Sequence, residues 1–179
     1  LQQWFTAEEE MPYYVALFDQ RVTDYYSWMI PKAGHVILGA AIPEGKNVRG
    51  RFQYLKHRVQ ATGFSLGTPV REQGAILLRR YGRGSVYLGK GGVFLAGEGA
   101  GFISGSSEEG ISYALSSGTA LGEALLYRKT PEETETLYRK RVLKLRWGLA
   151  PKAMKSVIMY SPKVRGAVFP SRLLSMDVK

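Results

Sequence analysis

The first quarter of the chain carries short apolar and aromatic runs bounded by turn residues. The runs at 13–19 and 24–30 predict two strands joined by a short turn, and 35–42 predicts a third. Three successive strands with short connections predict an antiparallel sheet. Within the second run, Tyr26, Trp28 and Ile30 fall on one face, while Tyr25, Ser27 and Met29 fall on the other. Pro43-Glu44-Gly45 ends this region. The spacing then changes. Val48, Phe52, Leu55 and Val59 recur at i, i+4, i+7 and i+11, which predicts an amphipathic helix over 46–60. Residues 75–80 read as a short strand that leads through glycines to Val86-Tyr87-Leu88.

The stretch from Val93 onward is the most informative. Val93-Phe94-Leu95-Ala96 is a continuous apolar run, as expected of a strand covered on both faces. Gly97, Gly99 and Gly101 follow at alternate positions, with one acid, Glu98, among them. Glycines so placed permit positive φ and let a ligand approach main chain with no Cβ in the way. Ser107 through Glu109 reads as an N-cap and first turn, and Ile111, Ala114, Leu115, Gly118, Leu121, Gly122 and Leu125 keep helical spacing. A strand, a glycine turn and a helix N-terminus together offer backbone N–H groups to an anionic or polyhydroxy ligand. Thr130-Pro131 opens a last helix, with Glu132, Glu133 and Glu135 early and cations from Arg139 to Arg146 late, an order that complements the helix dipole. Tyr138, Val142, Leu145 and Leu149 form its apolar stripe. The expected fold class is mixed α+β.

Composition narrows the chemistry. There is no cysteine, so disulfides, thiolate catalysis and cysteine metal sites are excluded, and a cytoplasmic setting is expected. The two histidines, His35 and His57, are expected to be ordinary strand or surface residues rather than metal ligands. No apolar run reaches membrane-spanning length, and Glu8-Glu9-Glu10 near the start is unlike a secretory signal. Ser104, Ser106 and Ser107 lack a histidine at motif spacing, so serine hydrolysis has no support. The net charge of +10 is uneven. Through Tyr127 there are 12 Lys and Arg against 11 Asp and Glu; from Arg128 on there are 13 against 4. That tail mixes its cations with Leu149, Met154, Val157, Ile158, Met159, Tyr160, Val168, Phe169, Leu173 and Leu174, a pattern suited to an anionic membrane surface. No nucleic-acid reading motif accompanies the charge, so nucleic acid is not expected as a partner.

Gly97-Glu98-Gly99-Ala100-Gly101-Phe102-Ile103-Ser104, continued through Glu109-Gly110-Ile111-Ser112-Tyr113-Ala114, resembles the second flavin-binding motif of FAD-dependent oxidoreductases related to geranylgeranyl reductases. These share the fold of the aromatic hydroxylases and flavin-dependent halogenases. The resemblance implies FAD as cofactor, with Glu98 on its ribityl chain, Gly99, Ala100, Gly101, Phe102, Ile103 and Ser104 running along that chain, and Gly110 and Ile111 beside the flavin ring. Four positions depart from the family: Glu98 replaces Asp, Gly99 replaces a common Ala, Gly105 replaces a typical proline, and Glu108 replaces a typical glycine.

A second match, Tyr26-Ser27-Trp28-Met29-Ile30-Pro31 followed by Gly39-Ala40-Ala41, resembles the aromatic-x-Trp-x-aromatic-Pro segment of the same family, which ends in Gly-x-Gly. Ile30 and Ala41 are the departures. The resemblance places Tyr26, Trp28, Ile30, Pro31 and Gly39 in the wall of a cavity for an isoprenoid-like chain, whose carbon–carbon double bond would accept hydride from reduced flavin. No residue stands out as a proton donor. The dinucleotide fingerprint Gly-x-Gly-x-x-Gly is absent, so the chain is expected to be the later part of a longer flavoprotein whose N-terminal βαβ half is missing. The expected division is a sheet region with one helix at 1–92, the second FAD motif with its helix at 93–127, and a basic helical region at 128–179. Lys32 near a substrate anion and Arg79, Arg80 and Arg83 near FAD phosphates are weaker candidates; solvated cations are the expectation for each. The competing reading is a non-catalytic module that holds a membrane surface or partner through the basic tail.

Overall fold

Strands form where the aromatic runs predict them, and the computed structural model, which describes residues 1–7, 11–77, 85–127 and 130–168, is mixed α+β. The chain divides into two units, Leu1–Ile76 and Leu77–Lys179. The first holds a five-stranded antiparallel sheet of β1 (Gln2–Thr6), β2 (Val15–Leu17), β3 (Ser27–Lys32), β4 (His35–Ala40) and β5 (Pro69–Gln73), ordered β2-β3-β4-β1-β5. β3 and β4 are joined by Ala33 and Gly34, both at positive φ (47° and 74°), the two-residue turn whose twist matches a hairpin. Helix α1 (Val48–Gln60) covers one face. Its start is capped by Asn47, whose side chain accepts from the Gly50 N–H at 2.9 Å. Phe52, Leu55 and Val59 of α1 pack with Phe5, Met29, Val36 and Leu38 in one apolar core.

The predicted strands are shorter than the runs that suggested them. The strand expected over 75–80 is a correction: residues 75–77 lie in no strand, and Ile76 is 82% exposed. The chain makes β5 just before them instead. Arg79, Arg80 and Arg83 lie outside the described residues, as do Glu8, Glu9, Glu10, Arg128 and the tail from Phe169 through Leu173 and Leu174.

The second unit opens with a hairpin of β6 (Gly89–Lys90) and β7 (Val93–Phe94). The strand expected to be covered on both faces over 93–96 is therefore corrected. It spans two residues, has one partner strand among the described residues, and leaves Val93 65% exposed. A 3₁₀ turn at Gly97–Ala100 leads to α2 (Ile111–Tyr127), α3 (Pro131–Arg141), α4 (Leu143–Tyr160) and α5 (Pro162–Val168). The last helix predicted from sequence is broken at Val142, yet its stripe survives the break. Tyr138, Val142 and Leu149 are buried, Leu145 packs against them, and Leu88, Phe102, Tyr113 and Ala124 complete the core. Among the described residues no helix is long and apolar enough to cross a membrane.

Candidate functional site

The glycine turn is built from main chain held tightly by its neighbours. Gly97 has φ 58°, and a Cβ there would lie 3.0 Å from the Ala114 methyl on α2. Its N–H donates to the Ser117 hydroxyl at 2.8 Å, and that hydroxyl donates to the Tyr113 carbonyl at 2.7 Å. Gly101 has φ 88°, and a Cβ there would sit 2.3 Å from the Ser85 carbonyl oxygen. These two glycines thus serve turn conformation and close packing within the protein. Gly99 is different. It is exposed, and a Cβ there would meet nothing within 4 Å. Glu98 beside it is exposed, and its carboxylate pairs with no group among the described residues. The tip of the turn therefore presents bare main chain and one unengaged acid.

Beyond the tip the chain turns inward. Ala100, Phe102 and Ile103 are buried in the unit, and Ser104 is buried among hydroxyls, accepting from Ser107 Oγ at 2.9 Å. The loop closes through the Ser104 N–H to the Glu109 carbonyl and the Glu108 N–H to the Ser104 carbonyl, both at 2.9 Å. Glu108 takes φ 55°, in the left-handed region that favours glycine. Tyr160 on α4 donates to the Ser106 carbonyl at 2.5 Å, and Tyr138 on α3 donates to the Leu95 carbonyl at 2.9 Å. Burial pushes the Tyr138 phenol above its ordinary pKa.

At the start of α2 the cap comes from Glu109 rather than Ser107. Its Oε1 accepts from the Ser112 N–H at 2.9 Å and the Ser112 hydroxyl at 2.7 Å. Those bonds, the hydroxyl's first, hold its carboxyl below the usual carboxylate range, with Lys152 at 3.9 Å adding a smaller pull. Gly110 is half-buried, and Ile111 projects at 78% exposure. Of the sequence-predicted cofactor residues, Glu98, Gly99 and Ile111 are surface-exposed. Ala100, Phe102, Ile103 and Ser104 lie inward, contributing packing and hydrogen bonds.

In the first unit the predicted cavity-wall residues other than Pro31 lie on the sheet face away from α1. Trp28 and Ile30 share that face, with Tyr26 just before the strand and its ring 5.8 Å from that of Trp28. The Trp28 indole lies across Gly39 of β4, where any Cβ would be 2.3 Å from the ring. Gly39 is therefore the seat of Trp28. Pro31 alternates to the opposite side of β3, at its exposed end. The sequence missed Trp4. It pairs in register with Ile37, which pairs with Ile30, so Trp4 extends the same apolar row. Lys32 and Arg71 lie over its ring at 5.4 and 5.9 Å, and His35 meets it edge-on at 6.1 Å. Its indole N–H is buried without a hydrogen-bond partner. Strand pairing, invisible before registers are known, is what joins Trp4 to this face. The α1 side of the sheet carries a cavity of about 430 Å³ lined by Met11, Val15, Leu17, Met29, Leu55 and Val59, with Asp19 and Arg58 at 3.6 Å among its walls. Tyr26, Trp28 and Ile30 do not line it. Among the described residues no group of three or more His, Asp or Glu is placed to hold a metal.

No protein-family model matches the chain. Sequence relatives do. The chain is similar to Protein CbrA of Escherichia coli O6:H1 strain CFT073, 42% identical over 165 residues, covering 92% of this chain and 44% of the relative. It is 41% identical to Protein CbrA of Shigella sonnei and of Escherichia coli strain K12, covering 46% of each. The chain thus spans about half the length of the curated relatives it matches, and the similarity extends across nearly all of its own length.

Proposed function

We propose that the chain is the later part of a flavin-dependent oxidoreductase resembling the geranylgeranyl reductases, acting on carbon–carbon double bonds of an isoprenoid or similar apolar substrate. The observation that carries the reading is the turn at 97–110. Its exposed tip pairs open main chain at Gly99 with an unengaged carboxylate at Glu98, an arrangement fit to accept hydrogen bonds from a polyhydroxy chain. Glu108 supports it independently of composition: this residue stands where the resembled family has glycine, and it adopts a glycine-like φ.

The uncovered face of α2 is consistent with a longer protein. Ile111, Leu115, Leu125 and Leu126 are exposed at 78, 69, 52 and 82%, and the small residues Ala114 and Gly118 lie between them on the same side. No Lys or Arg occurs from 111 to 127. An apolar helix face with small residues and no flanking cations suits packing against another protein layer. In this reading FAD meets the turn at Glu98 and Gly99 and has Gly110 and Ile111 next to its ring, while Ala100, Phe102, Ile103 and Ser104 support the turn from within. Tyr26, Trp28, Ile30 and Gly39 shape the apolar substrate surface. Bound flavin would supply the hydride chemistry; this chain's residues would bind, orient and exclude water.

The test is flavin binding by the chain joined to the part of a CbrA relative that it does not match. Expected are a yellow protein and quenching of FAD fluorescence, with Glu98→Ala weakening binding about tenfold, the loss of one charge-assisted hydrogen bond. A colourless joined protein that leaves FAD fluorescence unchanged overturns the assignment.

A further inference from the structure

Helix α4 has two apolar faces. One is buried, through Leu149 and the partly buried Leu145. The other is exposed: Leu143, Trp147, Met154 and Val157 are 50, 53, 74 and 68% exposed. With half-buried Ala150 they recur at alternating steps of four and three, which places them in one stripe along the helix. Lys144 and Lys155, both exposed, follow one edge of that stripe, and Arg146 lies toward the other. No Asp or Glu occurs between Glu135 and Asp177, and Glu135 itself is held by Arg139 at 2.7 Å.

We propose that this face of α4 docks in the plane of an anionic lipid bilayer, with Trp147, Met154 and Val157 in the headgroup boundary and Lys144 and Lys155 on the lipid phosphates. Charge decides the occupant. Protein interface cores are depleted in lysine, whereas in-plane membrane helices carry lysine and arginine beside an apolar face and favour tryptophan at the boundary. The exposed face of α2 has the opposite character, apolar without cations, so the two surfaces are distinguished within one unit. The inference rests on residues apart from the glycine turn and stands whether or not flavin binds.

The test is sedimentation of the 179-residue chain with vesicles of phosphatidylcholine alone and of phosphatidylcholine with phosphatidylglycerol. The chain is expected to partition onto the phosphatidylglycerol vesicles only, and added salt is expected to release it. Lys144→Gln with Lys155→Gln is expected to weaken partitioning about thirtyfold, from about 1 kcal/mol per surface cation. Met154→Ser with Val157→Ser should weaken it as well, with an unchanged circular dichroism spectrum because both side chains are exposed. Emission from Trp147, taken as the difference between the chain and Trp147→Phe, should shift to the blue on vesicles. The proposal is overturned by absence of partitioning, by partitioning that the lysine pair does not affect, or by binding with no Trp147 shift. It is also overturned if Met154→Ser abolishes self-association in a chain that ignores vesicles, which makes a second copy the occupant.

Discussion

At the scale of single residues, Glu108 and Gly101 carry opposite lessons. Glu108 holds φ 55° with a side chain that disfavours it, so Glu108→Gly is expected to stabilise the chain by about 1 kcal/mol in urea unfolding. A loss of stability would show that the carboxylate contributes more than the backbone conformation costs. Gly101→Ala meets both a positive φ and the Ser85 carbonyl, and a loss of about 2–4 kcal/mol is expected in the same measurement. The sequence expected the glycines at 97 and 101 to permit positive φ, which both adopt, and to leave room for a ligand. That room is taken by Ala114 and Ser85 instead, because alternate glycines look alike in sequence whether protein or ligand comes close. Only Gly99 keeps open space, which concentrates the candidate contact on Glu98 and Gly99.

At the scale of elements, caps and charge order were the most legible signals. Thr130 accepts from the Glu133 N–H at 3.2 Å, Pro131 opens α3, and Glu132 and Glu133 lie in its first turn, as the sequence predicted. Thr130→Ala is expected to cost about 1 kcal/mol in thermal or urea unfolding. The α2 cap is acid-sensitive. The Glu109 carboxyl titrates lower in the folded chain than in the unfolded one, so its contribution is complete above the ordinary carboxylate range and disappears as pH falls through its depressed value. Wild type should therefore melt above Glu109→Gln at neutral pH, with the gap closing toward pH values well below that range. β5 was not legible. Its residues, Pro-Val-Arg-Glu-Gln, are mostly exposed and show no period-two apolar signal, as an edge strand needs none. The exposed apolar residues at 75–77 misled in the other direction, since hydrophobicity alone does not establish burial. The break at Val142 carries no helix-breaking residue and was invisible for that reason.

At the scale of the whole molecule, the buried apolar groups of the described residues form one cluster in each unit. One draws on residues from Phe5 to Val59, the other on residues from Leu88 to Leu149. Residues 1–76 are therefore expected to fold by themselves, with strand-rich circular dichroism and a cooperative melt; a featureless spectrum would show that the first core depends on the second unit. The sequence divides the chain at 92/93 and 127/128, from the glycine motif and the basic tail; contacts group it into Leu1–Ile76 and Leu77–Lys179. The sheet also ends in two unlike borders. β2 has only three residues, and β5 begins with Pro69 and carries adjacent Arg71 and Glu72. A strand that brief gives an incoming chain little to pair with, and proline and charge on the other rim discourage templated addition. The polypeptide should accordingly resist fibril growth through its sheet, leaving its oily helical surfaces as the sites where clumping would begin.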